Sequence, residues 1–198
     1  ESMINNTVPT RAEVFDVANA VTSGVDAIML SAETAIGHYP VEVIQEASRI
    51  CEIAEKTNTK TLKINKEVQS FTSVDQIIAM SAVYGAQNKD IKAIAALTET
   101  GSTPLWMSRI QSTIPIYAMT KNDSTSRRIC LLKGVYSIKL DAIEHDHARA
   151  NKQVIDLMLE KGAVKKGDLV TITKGDLMGT SGGTNALKIV KVGSLIDV

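Results

Sequence analysis

The chain carries no excess charge of either sign: Lys and Arg total 22, Asp and Glu total 22. No net field therefore draws it to nucleic acid or to an anionic membrane, and only local basic patches could do so. Long apolar runs are missing too. None approaches membrane-spanning length, and the start of the chain has neither the basic flank nor the apolar core of a signal peptide. Cysteine is scarce: Cys51 and Cys130 are the two, both on helix patterns and neither in a metal-binding spacing. They predict reduced, buried thiols and a cytoplasmic setting. What is present, 44% hydrophobic and 22% charged residues over 198 positions, suits a soluble chain of one domain or one and a fraction.

The most informative stretch runs from Thr7 to Pro40. Thr10 with Glu13 predicts a capping box at the head of a helix over 11–22, with Val14, Phe15, Ala18 and Val21 apolar and Gly24 at its end. Asp26-Ala27-Ile28-Met29-Leu30 predicts a short strand buried on both faces. Ser31-Ala32-Glu33-Thr34 then turns the chain toward a second helix. Helix, buried strand, polar loop, helix is the repeating unit of an α/β barrel, whose chemistry sits in the loops after the strands.

Beyond it, 40–56 predicts a long amphipathic helix, and the polar, lysine-rich stretch 58–70 an interdomain linker. Ser73 with Gln76 predicts a second capping box opening a helix to about Asn88. Strands predicted over 91–97, 114–119, 135–140, 168–173 and 186–192 alternate with helices over 103–112, 124–133 and 146–161, until a glycine-rich loop separates the last two strands. That alternation implies an α/β domain with a mostly parallel sheet covered on both faces.

Two loops have a composition suited to an anion. Thr98, Glu99, Thr100, Gly101, Ser102 and Thr103 run from a strand end into a helix start, where hydroxyls, a glycine and free N–H groups admit a phosphate; plain capping is the competing reading. The stretch from Lys174 to Asn185 includes Gly179, Thr180, Ser181, Gly182 and Gly183. It reads as a loose connection or as a lid that orders over a ligand. His145-Asp146-His147 has no further ligand at usable spacing and reads as a helix start capped by Asp146.

PTRAE (9–13), DVANAV (16–21), the D-x-IMLSAETA run (26–35) and the following YP (39–40) resemble the end of the catalytic barrel of the pyruvate kinases. The rest of the chain is similar to that family's C-terminal regulatory domain. The resemblance implies residues 1–57 as a barrel remnant, the last helix-strand-helix segment of a TIM barrel, and 71–198 as an effector-binding domain. It implies a fragment that starts inside the seventh barrel segment, with the catalytic lysine, the metal-binding Glu/Asp pair and the active-site threonine upstream of Glu1.

Activity in the family means phosphoryl transfer between phosphoenolpyruvate and ADP with Mg²⁺ and K⁺. Here the resemblance implies that no residue of this segment binds either ion. It assigns Ser31 and Glu33 at most a supporting catalytic role, helix capping being the alternative, and places Arg11 near a subunit interface of a homotetramer. For the effector, it points to Thr98, Thr100, Gly101, Ser102 and Thr103, to Arg149 or Lys152 for a second phosphate, and to the loop 179–183. Glu99 stands where some fructose bisphosphate-activated members have lysine, and Ser102 where many relatives have arginine. Their presence implies the bacterial type that answers to AMP or a sugar monophosphate. A free-standing sugar-phosphate or nucleotide sensor is the other expectation, against which the barrel remnant in 1–57 counts.

Overall fold

The computed structural model describes residues 1–57, 71–110, 112–142, 144, 146–176 and 182–194. The chain divides into two compact units, Glu1–Lys63 and Ile64–Val198. The linker expected over 58–70 lies outside the described residues.

In the first unit a short 3₁₀ turn, Ser2–Ile4, precedes α1 (Arg11–Ser23), α2 (Ala32–Ala35) and α3 (Pro40–Thr57). The capping box is present: the Glu13 N–H donates to Thr10 Oγ1 at 3.3 Å, and the Thr10 N–H donates to Glu13 Oε2 at 2.8 Å. Gly24 ends α1 in the left-handed conformation, φ 89°. Val21 of α1 and Val43, Ile50 and Ala54 of α3 are buried.

The expected strand over 26–30 forms no ladder. A parallel strand exists only beside a neighbour, and the described residues of this unit supply none. Met29 is accordingly 90% exposed.

The second unit holds α4 (Val74–Asn88), β1 (Ile91–Leu97), α5 (Ser102–Ser108), β2 (Ile116–Thr120), α6 (Asp123–Ile129), β3 (Val135–Lys139), α7 (His147–Glu160), β4 (Leu169–Gly175) and β5 (Thr184–Lys191). Its five strands lie in the order β3-β2-β1-β4-β5, parallel except for β5 against β4. The expected α/β class is the one observed. Period-2 alternation sends side chains to both faces; the inner strands β1, β2 and β4 are mostly buried, while the edge strands β3 and β5 keep exposed positions. Ala93, Ala95, Met119, Ile138, Val170, Ile172 and Val190 pack with Val154, Ile155 and Met158 of α7. The opposite face of the sheet is covered by α4, with Ala79, Ala82, Val83 and Ala86 buried, and by α5 and α6.

Two local expectations need correction. Ser73 makes no side-chain cap; Gln76 Oε1 instead accepts from the Thr72 N–H at 2.9 Å, while the Ser73 hydroxyl turns to Asp75. The cysteines are not buried: Cys51 is half-buried and Cys130, the residue that closes α6, is exposed.

Candidate functional site

The chain leaves β1 toward β2 on one side, and β4 joins β1 on the other. Strand order therefore reverses between β1 and β4, and the crevice outside the carboxyl ends there is where open α/β sheets bind ligands. Thr98 follows β1 directly, and the 176–183 connection follows β4, so both loops singled out from the sequence flank this crevice.

The first loop is held by its own hydroxyls. Thr98 Oγ1 accepts from the Gly101 N–H at 2.8 Å. Gly101 has φ 80°, and a Cβ there would lie 2.7 Å from Ile129 Cγ2, so conformation and space both ask for glycine. Arg128 donates its guanidinium to the Thr100 carbonyl. Glu99 is drawn toward α6: its Oε2 accepts from Asn122 Nδ2 at 2.9 Å, and Lys121 Nζ lies 3.7 Å from Oε1. Ser102 Oγ donates to Asp75 Oδ2 at 2.9 Å, and Asp75 is only 9% exposed. With seven residues, α5 has little aligned dipole to offer. Anion affinity there would rest on the loop's hydroxyls and N–H groups.

The second loop is pinned at its root. The Asp176 N–H donates to Asn185 Oδ1 at 3.1 Å, and Asn185 Nδ2 returns a bond to Asp176 Oδ2 at 2.8 Å. A Cβ on Gly175 would meet the Gly183 carbonyl oxygen at 2.5 Å, so the outgoing and returning backbones abut. Gly182 has φ 73°. Gly179, Thr180 and Ser181 lie outside the described residues.

The two loops are tied together. Thr103 Oγ1 donates to Thr184 Oγ1 at 2.9 Å, in a buried setting. Thr98, Thr100, Gly101, Ser102, Thr103 and Gly183 thus belong to one edge. Arg149 and Lys152 are placed differently. They line a groove of about 470 Å³ on the outer flank of α7 with Leu140, Glu144, Asp156 and Glu160, and no residue of the first loop contributes to it. Lys152 Nζ donates to Asp156 Oδ2 at 3.2 Å. Asp146 caps α7, and its carboxyl is held below the ordinary value by the N–H of Arg149, with burial opposing and the N–H of Ala148 adding.

In the first unit, Ser31 precedes α2 as an exposed residue making no side-chain cap; its carbonyl accepts from the Thr34 hydroxyl at 3.1 Å. Glu33 is half-buried and Arg11, at the start of α1, is exposed. Sequence reasoning did not single out Thr184, Asp75, Asn122 or Arg128 as site residues, because each joins the edge through a partner remote in sequence. Among the described residues no group of three or more His, Cys, Asp or Glu could hold a metal ion.

A two-sided α/β sheet with paired loops at its strand-order switch defines a domain of the doubly wound class. The family model described as the pyruvate kinase alpha/beta domain matches residues 76–190, and the one described as the pyruvate kinase barrel domain matches residues 1–44. The chain belongs to the pyruvate kinase family. It is 45% identical to pyruvate kinase from Buchnera aphidicola subsp. Baizongia pistaciae and 44% identical to pyruvate kinase II from Salmonella typhimurium, each over 193 residues. Each alignment covers 97% of this chain and 40% of the relative, so the chain spans two fifths of their length. A crystal structure of a pyruvate kinase from Cryptosporidium parvum superposes with a TM-score of 0.81 at 32% identity, covering 96% of this chain and 38% of that one.

Proposed function

We propose that this chain is the C-terminal part of a pyruvate kinase, which transfers a phosphoryl group from phosphoenolpyruvate to ADP as the last step of glycolysis. Its α/β domain takes a phosphorylated small molecule at the β1–β4 edge. The observation that carries the effector reading is the buried Thr103–Thr184 hydrogen bond, which joins loops 81 residues apart at the switch point of the sheet. A ligand touching both loops changes the order of both at once. Thr98, Thr100, Gly101 and Ser102 supply hydroxyls and N–H groups for a phosphate, and 179–183 would close over the rest.

Two carboxylates stand at this edge, Asp75 on Ser102 and Glu99 at the α6 side. They disfavour a bisphosphate through like-charge repulsion, which supports AMP or a sugar monophosphate as the ligand. Family membership supports reading the intact enzyme as a cytoplasmic homotetramer that uses Mg²⁺ and K⁺, with Arg11 near an interface. Among the described residues no helix is long and apolar enough to cross a membrane. Ser31 and Glu33 are left a supporting role at most.

Thermal unfolding of the chain with AMP, ribose 5-phosphate, glucose 6-phosphate and fructose 1,6-bisphosphate tests the effector reading. A monophosphate is expected to raise the melting temperature more than the bisphosphate, and Thr100→Ala to weaken that response. Melting curves unmoved by all four would sink it.

A further inference from the structure

Lys174, the next-to-last residue of β4, is 5% exposed. An ammonium taken out of water ordinarily has an anionic partner, because its desolvation is otherwise uncompensated. Lys174 forms no ion pair among the described residues. Its Nζ donates to the His147 carbonyl oxygen at 3.0 Å and to Asn151 Oδ1 at 2.9 Å, both neutral, and Asn151 is itself 2% exposed. Burial pushes the ammonium below the ordinary lysine value, and Lys188 of β5 adds to the push. Asp146 at the head of α7 and Asp176 at the loop root pull it back without closing a contact. For stability alone, an apolar side chain would serve this position better.

Its placement suggests what the charge is for. The register pairs Ala96 with Thr173, and one step further sets Lys174 beside Leu97, directly before Thr98. Neighbouring strands are about 4.8 Å apart. Lys174 is also one residue before Gly175, where the glycine-rich loop leaves and returns with abutting backbones. The cation therefore lies beneath the β1–β4 crevice, between the first turn of α7 and the loop root.

We propose that Lys174 is the buried counter-charge of the anion site: neutral acceptors of α7 hold it in place, and its charge is compensated when a phosphate group seats in the crevice above it. This rests on the reading of the two loops as a phosphate site. It supplies the site with a buried cation, and it accounts for a buried lysine that pairs with no carboxylate among the described residues.

The test compares the chain with Lys174→Met and Lys174→Gln, using inorganic phosphate as the probe. Without phosphate, Lys174→Met is expected to melt at or above the parent, since the uncompensated charge is gone. Phosphate affinity read from the melting shift is expected to fall about tenfold or more in both variants, the size of one lost charge-assisted contact. Lys174→Gln keeps a donor for His147 or Asn151 and separates charge from tethering.

A pH series adds a sign. The folded value is lowered, so the parent's stability without phosphate should climb as pH rises toward the ordinary lysine value of about 10.4, and Lys174→Met should lack that climb. Should neither variant fold, phosphate binding by the parent just below that pH is expected to take up protons on the protein, and its absence overturns the proposal. A destabilised Lys174→Met with an unchanged phosphate response makes Lys174 a structural tie and overturns it, leaving the loop reading standing. A parent that ignores phosphate and every phosphorylated effector overturns both.

Discussion

Thr103 is 2% exposed and Thr184 9% exposed, and each hydroxyl is the other's partner. Truncating one strands the other, which is the costly half of losing a buried hydrogen bond. Thr103→Val and Thr184→Val are each expected to cost about 1–2 kcal/mol in urea unfolding. The double variant should cost less than the sum, because no hydroxyl is then left unpaired. Strict additivity would mean that the bond contributes nothing. The composition of both loops was legible in the chain, since hydroxyls and glycines beside a strand end carry that signal locally. Their pairing was not, because nothing local encodes a contact 81 residues away. Asp75 shows the same limit: it reads as an acidic residue in the first turn of α4, yet it is buried to accept from Ser102. Lys174 belongs here too, as only the fold reveals that it is under α7 rather than in solvent.

At the scale of elements, periodicity was informative and boundaries moved by a few residues. The strand at Ile91–Leu97 emerged as expected, and the helix from Asp146 became His147–Glu160 with Asp146 as its cap. The exception, 26–30, has a strand's composition but no partner strand among the described residues, and a ladder is a property of pairs rather than of a segment. Between the helix layers, β1 is central, and Ala93, Ala95 and Ala96 are all fully buried. Small side chains let α4 and α7 approach the sheet from either face. Ala95 packs in the cluster that contains Val154, Ile155 and Met158 of α7. Ala95→Leu is therefore expected to cost about 1–3 kcal/mol through overpacking. A conservative-looking change at the exposed Tyr136 of β3, such as Tyr136→Phe, should stay within about 0.5 kcal/mol. An unfolding midpoint for Ala95→Leu equal to the parent's would show that the gap between sheet and α7 is looser than the burial indicates.

On the scale of the whole molecule, the two units carry different kinds of information. The first is recognised by its motifs, and residues 1–44 match the barrel domain, but its apolar side chains are poorly covered: Phe15 is 68% exposed, Ile36 76% and Ile44 58%. The second has an open five-stranded sheet with helices packed on both faces. Phosphoryl transfer depends on positioning and on neutralising developing charge with metal ions and basic side chains. Of the residues carried over from the family with a catalytic role, the first unit offers Ser31 and Glu33, neither of them basic. The 198-residue chain is therefore expected to form no pyruvate from phosphoenolpyruvate and ADP in the presence of Mg²⁺ and K⁺, followed by a coupled assay of pyruvate. The same preparation should still respond to a phosphorylated effector in thermal unfolding, because the β1–β4 edge lies wholly within the second unit. Metal-dependent turnover by this chain would show that its residues suffice for catalysis. Effector binding without turnover would separate the two roles and assign the first to the β1–β4 edge.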